Sequence, residues 1–369
     1  MVVSLIPQKR KDLLIVQIKI LDSTTEKKYD DFLLSHPENL LYASNKYRLL
    51  LKDFLNEQDI YLLAVNDKEE IKGVLPAFLK KNQELGNVLN SVPFYGSNGA
   101  VIEFENNESV RNLLIEAFYK LAKEHHCVST TLISNPLYPM EEFFEKTTNY
   151  NLKDSRIGQL TPLPKISDDV GESVMKMIHY KTRNLVRKAQ KLEIAFSDEP
   201  GETYLDFLIE THKENLAAIG GISKPEHFFR LIPKIFEYGS EYKIYHAKKD
   251  GKLIAALLVF YFNKTVEYYT PVIKAEYRNS QPMSLLIFEA MKDAVVRGYD
   301  WWNWGGTWAS QGGVYQFKSA WGTQDKMYYY YTKIFNDAIL TRTKEQLLEG
   351  YPYFFVAPFN VLKPIKTEL

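Results

Sequence analysis

What most constrains the fold of this chain is that it repeats itself. Tyr61–Leu75 and Tyr242–Leu257 both run strand, polar turn, strand, with Ile71 and Leu253 at matching points. Later in each half a helix opens on similar letters, Leu113-Leu114-Ile115-Glu116-Ala117 and Leu285-Leu286-Ile287-Phe288-Glu289-Ala290, and a strand follows each helix. Two copies of such a unit specify tandem domains of one fold rather than a solenoid, which needs three or more. The 369 residues agree, since ~150 residues per domain gives two. Strands mixed with helices in this way predict an α/β (α+β) fold, with mixed sheets flanked by helices. We place the first unit at residues 1–153 and the second at 154–336, with 337–369 packing back on the first.

Local signals fill in the elements. Apolar residues from Asp22 to Leu55 fall at helical spacing. Asn66–Glu70 is a polar hairpin turn, and Lys249-Asp250-Gly251-Lys252 carries the Asp-Gly pair that favours a type I′ turn. Strand-like runs cover Val88–Phe94, Ala100–Phe104 and Val128–Ile133, and Ser109 is placed to cap the helix between the last two. Past Tyr150 the pattern loosens around Pro162, Pro164 and Asp168-Asp169, which predicts a linker. Helices follow at 171–192, 202–218 and 225–238. The helix from about Ser284 is apolar on every side, hence buried, and stops at Gly298, a C′ residue.

Charge and composition exclude several functions. Lys plus Arg and Asp plus Glu number 46 each, so the chain has no bulk basic surface for DNA. A single cysteine, Cys127, rules out an intrachain disulfide and fits a reducing compartment. Cys127 itself fits a small apolar residue at a helix end. The seven His show no metal-ligand spacing, so no metal is expected. The N-terminus lacks both a signal-peptide core and the ~20 apolar residues of a membrane span, which predicts a cytoplasmic protein.

Chemistry concentrates between Gly298 and Gly322. Tyr299-Asp-Trp-Trp-Asn-Trp-Gly-Gly306 is a strand that leaves a buried helix and ends in paired glycines. Such glycines open a bulge or let a ligand approach the backbone closely. Gln311-Gly-Gly-Val-Tyr-Gln-Phe-Lys318 then starts a short helix from a second glycine pair. N–H groups of Gly305, Gly306 and the helix start would converge on one spot, where they suit a carbonyl becoming an oxyanion. Lys318, flanked by Phe317 and Trp321, is expected to be semi-buried. On the 171–192 helix, Val174, Ile178, Leu185, Ala189 and Leu192 share one face. Lys176, Arg183, Arg187 and Lys191 share the other, which is either a solvated face or a phosphate-binding stripe.

These segments resemble, in order along most of the chain, the Fem family, aminoacyl transferases that build peptidoglycan cross-bridges. Gly313-Val-Tyr-Gln-Phe-Lys-Ser-Ala-Trp-Gly322 resembles the family's Gly-x-Tyr-x-Phe-Lys-x-x-Phe-Gly. Lys181-Thr-Arg-Asn-Leu-Val-Arg-Lys-Ala-Gln-Lys191 resembles its basic helix, and Gly73-Val-Leu-Pro76 with Val92-Pro-Phe-Tyr-Gly96 its first domain. The resemblance implies two tandem GNAT-like (acyl-CoA N-acyltransferase-like) domains. It also implies an N-acyl or aminoacyl transferase of cell-wall, peptidoglycan or other surface-polysaccharide biosynthesis, with Lys318 at the acyl-transfer centre. Tyr269, Arg278, Trp304, Gly305, Gly306, Tyr315, Phe317, Arg183 and Arg187 are the expected substrate contacts.

No tightly bound cofactor is implied. The activated donor is aminoacyl-tRNA or acyl-CoA, tRNA being a possible donor carrier. The acceptor is a small-molecule or glycan-precursor amine, and a lipid-linked substrate would bring at most peripheral membrane contact. GNAT enzymes that use acetyl-CoA carry a glycine-rich pyrophosphate loop, whereas Arg278-Asn-Ser-Gln-Pro-Met283 has no glycine. Pro93–Gly99 likewise lacks the Arg and Asp of members that act on peptidoglycan precursors, which points toward another surface glycan. No Asp-His or Cys-His dyad is evident, leaving the proton acceptor to substrate, water or a tyrosine. Two alternatives stay open: an acetyl-CoA-dependent amino-sugar N-acetyltransferase, and a non-catalytic module binding a nucleotide sugar or glycan.

Overall fold

The computed structural model describes residues 16–94 and 101–363. The start of the N-terminal stretch, the Tyr95–Ala100 part of the segment noted above and the last residues from Pro364 lie outside the described residues.

The chain opens with β1 (Gln17–Ile20), α1 (Glu26–Leu34), α2 (Asn45–Leu55), β2 (Gln58–Asp59), β3 (Leu62–Val65), β4 (Ile71–Leu75), β5 (Phe78–Lys80) and β6 (Asn87–Asn90). Helix α3 (Glu108–Glu124), strand β7 (Cys127–Ile133), α4 (Glu141–Thr147) and β8 (Leu152–Pro162) follow. Next come α5 (Val170–Met177), α6 (Tyr180–Lys191), β9 (Ala195–Ser197), α7 (Glu202–Ala217), α8 (Glu226–Ile235), β10 (Tyr242–Lys249), β11 (Lys252–Phe262) and β12 (Thr265–Ile273). The last elements are α9 (Pro282–Val296), β13 (Trp301–Thr307), α10 (Gly312–Ser319), β14 (Gln324–Ile334) and α11 (Lys344–Gly350).

The repeat seen in the letters is a repeat in space. β6–α3–β7 and β12–α9–β13 are both parallel strand pairs joined by a helix, the connection a parallel pair requires. β3–β4 and β10–β11 are the matching antiparallel hairpins. The second turns at Asp250 (φ 51°) and Gly251 (φ 76°), the left-handed pair of a type I′ turn. β1, β3 and β4 form one sheet. The other eleven strands form a second, ordered β2-β5-β6-β7-β14-β8-β13-β12-β11-β10-β9. This mixed sheet runs unbroken from one half to the other because β14 pairs with both β7 and β8.

Two sequence expectations are corrected. The stretch after Tyr150 is not loose: β8 fills Leu152–Pro162 in the middle of the large sheet, and the irregular stretch begins only at Leu163. The helix expected at 171–192 is two helices. Ile178 leaves the helical region, and His179 caps α6 through Nδ1, which accepts from the Lys181 N–H. The break rotates the second half, so α6 buries Thr182, Val186 and Ala189 while Leu185 is exposed. Smaller shifts occur too: Asn107, not Ser109, caps α3, and Ile102 contributes only an isolated bridge to Val74.

Three large cores hold the layers among the described residues. One packs α3 on β3, β4 and β7, and another packs α9, α5 and α6 on one face of β10–β13. The third covers the opposite face of β10–β12 and is shared, with Tyr29, Tyr47 and Leu50 of the first half meeting Phe228, Ile232 and Phe260 of the second. Burying each such side chain contributes roughly 1.5–3 kcal/mol, so this core ties the halves together. Beyond Asp337 the chain lies against β6 and β7. Tyr351 donates to the Gly86 carbonyl at 2.8 Å, and Asn90 exchanges two hydrogen bonds with Phe355.

Candidate active site

β12 and β13 run parallel for three residue pairs, Thr265–Trp301, Val266–Trp302 and Glu267–Asn303, and then part. Each strand carries an irregularity just beyond that point. On β13, Asn303 opposes Leu160 and Gly306 opposes Gly158, so one extra residue is bulged out. Gly305 takes a left-handed φ of 74° there, which a residue with a Cβ adopts only at a cost. On β12, the register shift against Leu258–Val259 makes Tyr269 the extra residue. Bulges that splay two parallel strands leave a fork between them, and its vertex is the Glu267–Asn303 pair.

The two faces of the fork differ. On the α9–α10 face, Tyr268 lies 4.8 Å from Trp304, whose Nε1 donates to Thr161 Oγ1 at 2.9 Å. Phe317 meets Trp304 edge-on at 6.0 Å and is 43% exposed, whereas Lys318 beside it is only 7% exposed. Lys318 Nζ donates to Thr307 Oγ1 at 2.9 Å and to the Gly306 carbonyl at 3.3 Å, and Thr307 donates to Gln159. It forms no ion pair among the described residues, and burial pushes its pKa down to about 8. A cavity of about 410 Å³ opens beside this group, lined by His179, Lys181, Thr182, Ser284, Phe317 and Trp321 among others.

On the opposite face sits Glu267, 1% exposed. Its Oε2 accepts from Asn303 Nδ2 at 2.9 Å and from the Tyr42 hydroxyl of the first half at 3.0 Å. Oε1 has no partner among the described residues. Burial is the largest influence and raises the carboxyl to about 7, against the opposing pull of those two hydrogen bonds. A carboxyl poised there can take a proton from an ammonium or amine near neutral pH. The Tyr47 and Tyr269 hydroxyls lie 3.3 Å apart on the same face. Lys224 reaches to 5.1 Å above the Tyr269 ring, and its pKa is pushed down to about 8 by burial.

The structure brings Trp304, Gly305, Gly306, Phe317 and Lys318 together, with Tyr315 on the same helix bonded to Asp325 at 2.8 Å. Tyr269 is separated from them. One pocket lined by Tyr269 and Trp304 was expected, but strand alternation and the bulge turn Tyr268 toward Trp304 and Tyr269 to the other core. The Gly305 N–H, expected to be open to a ligand, donates to Asn303 Oδ1 at 2.9 Å. Arg278 is exposed in the turn before α9. On α6, Arg187 is exposed and Arg183 is half-buried, 3.5 Å from the Met175 carbonyl.

Glu267 is the residue that sequence reasoning missed. Its signal was a lone carboxylate inside the apolar run Thr265-Val-Glu-Tyr-Tyr269. No group of three or more His, Cys, Asp or Glu among the described residues could hold a metal ion, and no described helix is long and apolar enough to cross a membrane.

With this geometry in hand, comparisons place the fold. Residues 173–319 match the family model described as an acetyltransferase (GNAT) domain, a span that contains both fork strands and Lys318. Among solved structures, FemX is similar with a TM-score of 0.70 at 15% identity, covering 90% of this chain and 100% of its own. The C-terminal domain of a putative lysylphosphatidylglycerol synthetase from Agrobacterium fabrum gives 0.55 at 12% identity, covering 91% and 99%. A tandem GNAT protein from the clavulanic acid biosynthesis pathway gives 0.52 at 11%, covering 87% and 98%. At these identities the likeness is one of fold: the chain has the tandem GNAT fold. No curated protein matches the sequence.

Proposed function

We propose that this chain, an acyltransferase of tandem GNAT fold, moves an activated acyl or aminoacyl group onto an amine through the fork between β12 and β13. The observation that carries the reading is the parting of these strands at a buried carboxylate with a free oxygen, Glu267 Oε1. The donor approaches from the α10 face, where a cavity is lined by Phe317 and Trp321, the two rings that touch Trp304. The acceptor approaches from the face of Glu267 and Tyr42.

The amine nitrogen bonds to the acyl carbon, and its proton passes to Glu267, directly or through the Tyr42 hydroxyl. The bond from acyl carbon to the donor's sulfur or oxygen then breaks. Lys318 holds the fork strand through the Gly306 carbonyl and Thr307. Its ammonium supplies a positive charge for the tetrahedral oxyanion or the leaving group. Arg183, Arg187 and Arg278 are the surface cations available to the donor's phosphates. On the likeness of fold to FemX and the lysylphosphatidylglycerol synthetase domain, the acceptor in this reading is an amine of surface-glycan or envelope type.

The test is transfer from two donor classes, acyl-CoA and charged tRNA, to a panel of amines followed by mass spectrometry. An amide product from either class that requires Glu267 supports the reading. A folded protein giving no amide from either sinks it. The GNAT domain match favours a narrower second reading, an acetyl-CoA-dependent amino-sugar N-acetyltransferase. That version requires thermal stabilisation by millimolar acetyl-CoA.

A further inference from the structure

Behind the fork strand lies a second cavity, of about 250 Å³, between the sheet and the C-terminal segment. Its wall is rich in aromatic rings, with Phe94, Trp308, Tyr328, Tyr353, Phe355 and Phe359 among its residues. It reaches the fork at Gly306, which also lines it. The Gly306 face is in close contact with the Tyr328 ring, whose hydroxyl would clash with any Cβ placed there. Gly306 lies three positions along β13 from Asn303, the residue whose amide donates to Glu267. The cavity therefore meets the fork strand at Gly306, on the face opposite Lys318.

Its charge is informative. Arg156 is the one charged side chain among the described residues of the wall. It is already engaged: it pairs with Asp154 at 2.8 Å and donates to the Ser155 carbonyl at 2.7 Å. Its guanidinium lies 3.3 Å over the Trp308 ring and 4.8 Å from the Tyr330 ring. Among the described wall residues no positive charge is left over for a diphosphate, and a buried anion without a partner is strongly disfavoured. Size excludes a lipid chain as well. A cavity of about 150 Å³ holds one benzene, so this one takes about ten non-hydrogen atoms.

Resting on the acyl-transfer reading, we infer that this cavity holds the body of the acceptor, and that the acceptor is a primary amine on a single uncharged aromatic ring system. Aromatic walls favour such a ring through edge and offset contacts. The amine then points to the fork strand at Gly306.

Binding is measured without donor, by calorimetry on the intact protein. The probes are 2-phenylethylamine, tryptamine, glucosamine, UDP-N-acetylglucosamine and dodecylamine. The aryl amines should bind most tightly. Leu348→Trp, at a wall position that is 41% exposed, should weaken them at least fivefold with an unchanged melting temperature. Trp308→Leu, also at an exposed wall position, serves as a second variant and should weaken them similarly. Equal or tighter binding of the nucleotide sugar, glucosamine or dodecylamine overturns the inference. So does aryl-amine binding that both variants leave untouched, or no aryl-amine binding at millimolar concentration. Because no turnover is read, failure here leaves acyl transfer standing, and failure of acyl transfer does not alter this result.

Discussion

Replacing Glu267 by Gln should pull stability and activity in opposite directions, and the size of the effect follows from the site. The carboxyl ionises at about 7 in the folded protein, against an ordinary 4.5. The unfolded chain releases this proton first, so between those values the native state binds more protons than the unfolded one. Stability therefore falls as pH rises from 4.5 to 7 and is level above that. At about 1.4 kcal/mol per pH unit, the wild type loses about 2–3 kcal/mol from this group between pH 5 and pH 8.

The amide loses none of it. Its oxygen still accepts from Asn303 and Tyr42, and the cost of its unpaired NH₂ is the same at both pH values. The difference in unfolding free energy between E267Q and wild type should thus shift by about 2–3 kcal/mol toward the variant from pH 5 to pH 8. Urea unfolding at the two pH values measures it. Acyl transfer by the same variant should fall about 10²–10⁴-fold, the usual share of a general base. Parallel stability profiles would refute the ionisation near neutrality, and undiminished turnover would refute the catalytic role.

Other perturbations probe the surroundings. Tyr42→Phe removes a hydrogen bond that favours the charged carboxylate, so the lower limb of the pH–rate profile should move to higher pH, as read from kcat/KM. Lys318→Met keeps the apolar stem but frees the Gly306 carbonyl and Thr307; turnover should drop about 10²–10³-fold while circular dichroism stays unchanged. Gly306→Ala sets a methyl against Tyr328 and should destabilise by about 1–3 kcal/mol in thermal unfolding. Adding Tyr328→Phe, which removes the closest atom, should recover part of that loss; strict additivity would mean the contact is not the cause.

Much of the frame was readable because its signals were local. The Asp250-Gly251 turn, the all-apolar α9 and the Gly298 stop each carry their chemistry in adjacent residues. The burial of Lys318 was readable from the aromatic residues around it. β8 was not, because Lys153, Asp154 and Arg156 give it the polarity of a loop. Only in the folded chain do β14 and β13 flank it, and Arg156 finds Asp154 and Trp308. The break between α5 and α6 was hidden because an apolar period runs through it. Tyr269 was misplaced because a bulge shifts the face a side chain takes, and bulges are set by the partner strand. Glu267 acquired meaning only when Tyr42, 225 positions away in sequence, closed over it.

The central claim is that the acyl carbonyl sits in the fork between Glu267 and Lys318. A crystal structure with a non-reactive thioether or amide analogue of the donor tests it most directly. The carbonyl is expected between Trp304 and Gly306, with the donor chain leaving along Phe317 and Trp321 and the open side facing Tyr42. A donor analogue bound with its carbonyl away from both fork strands would contradict it.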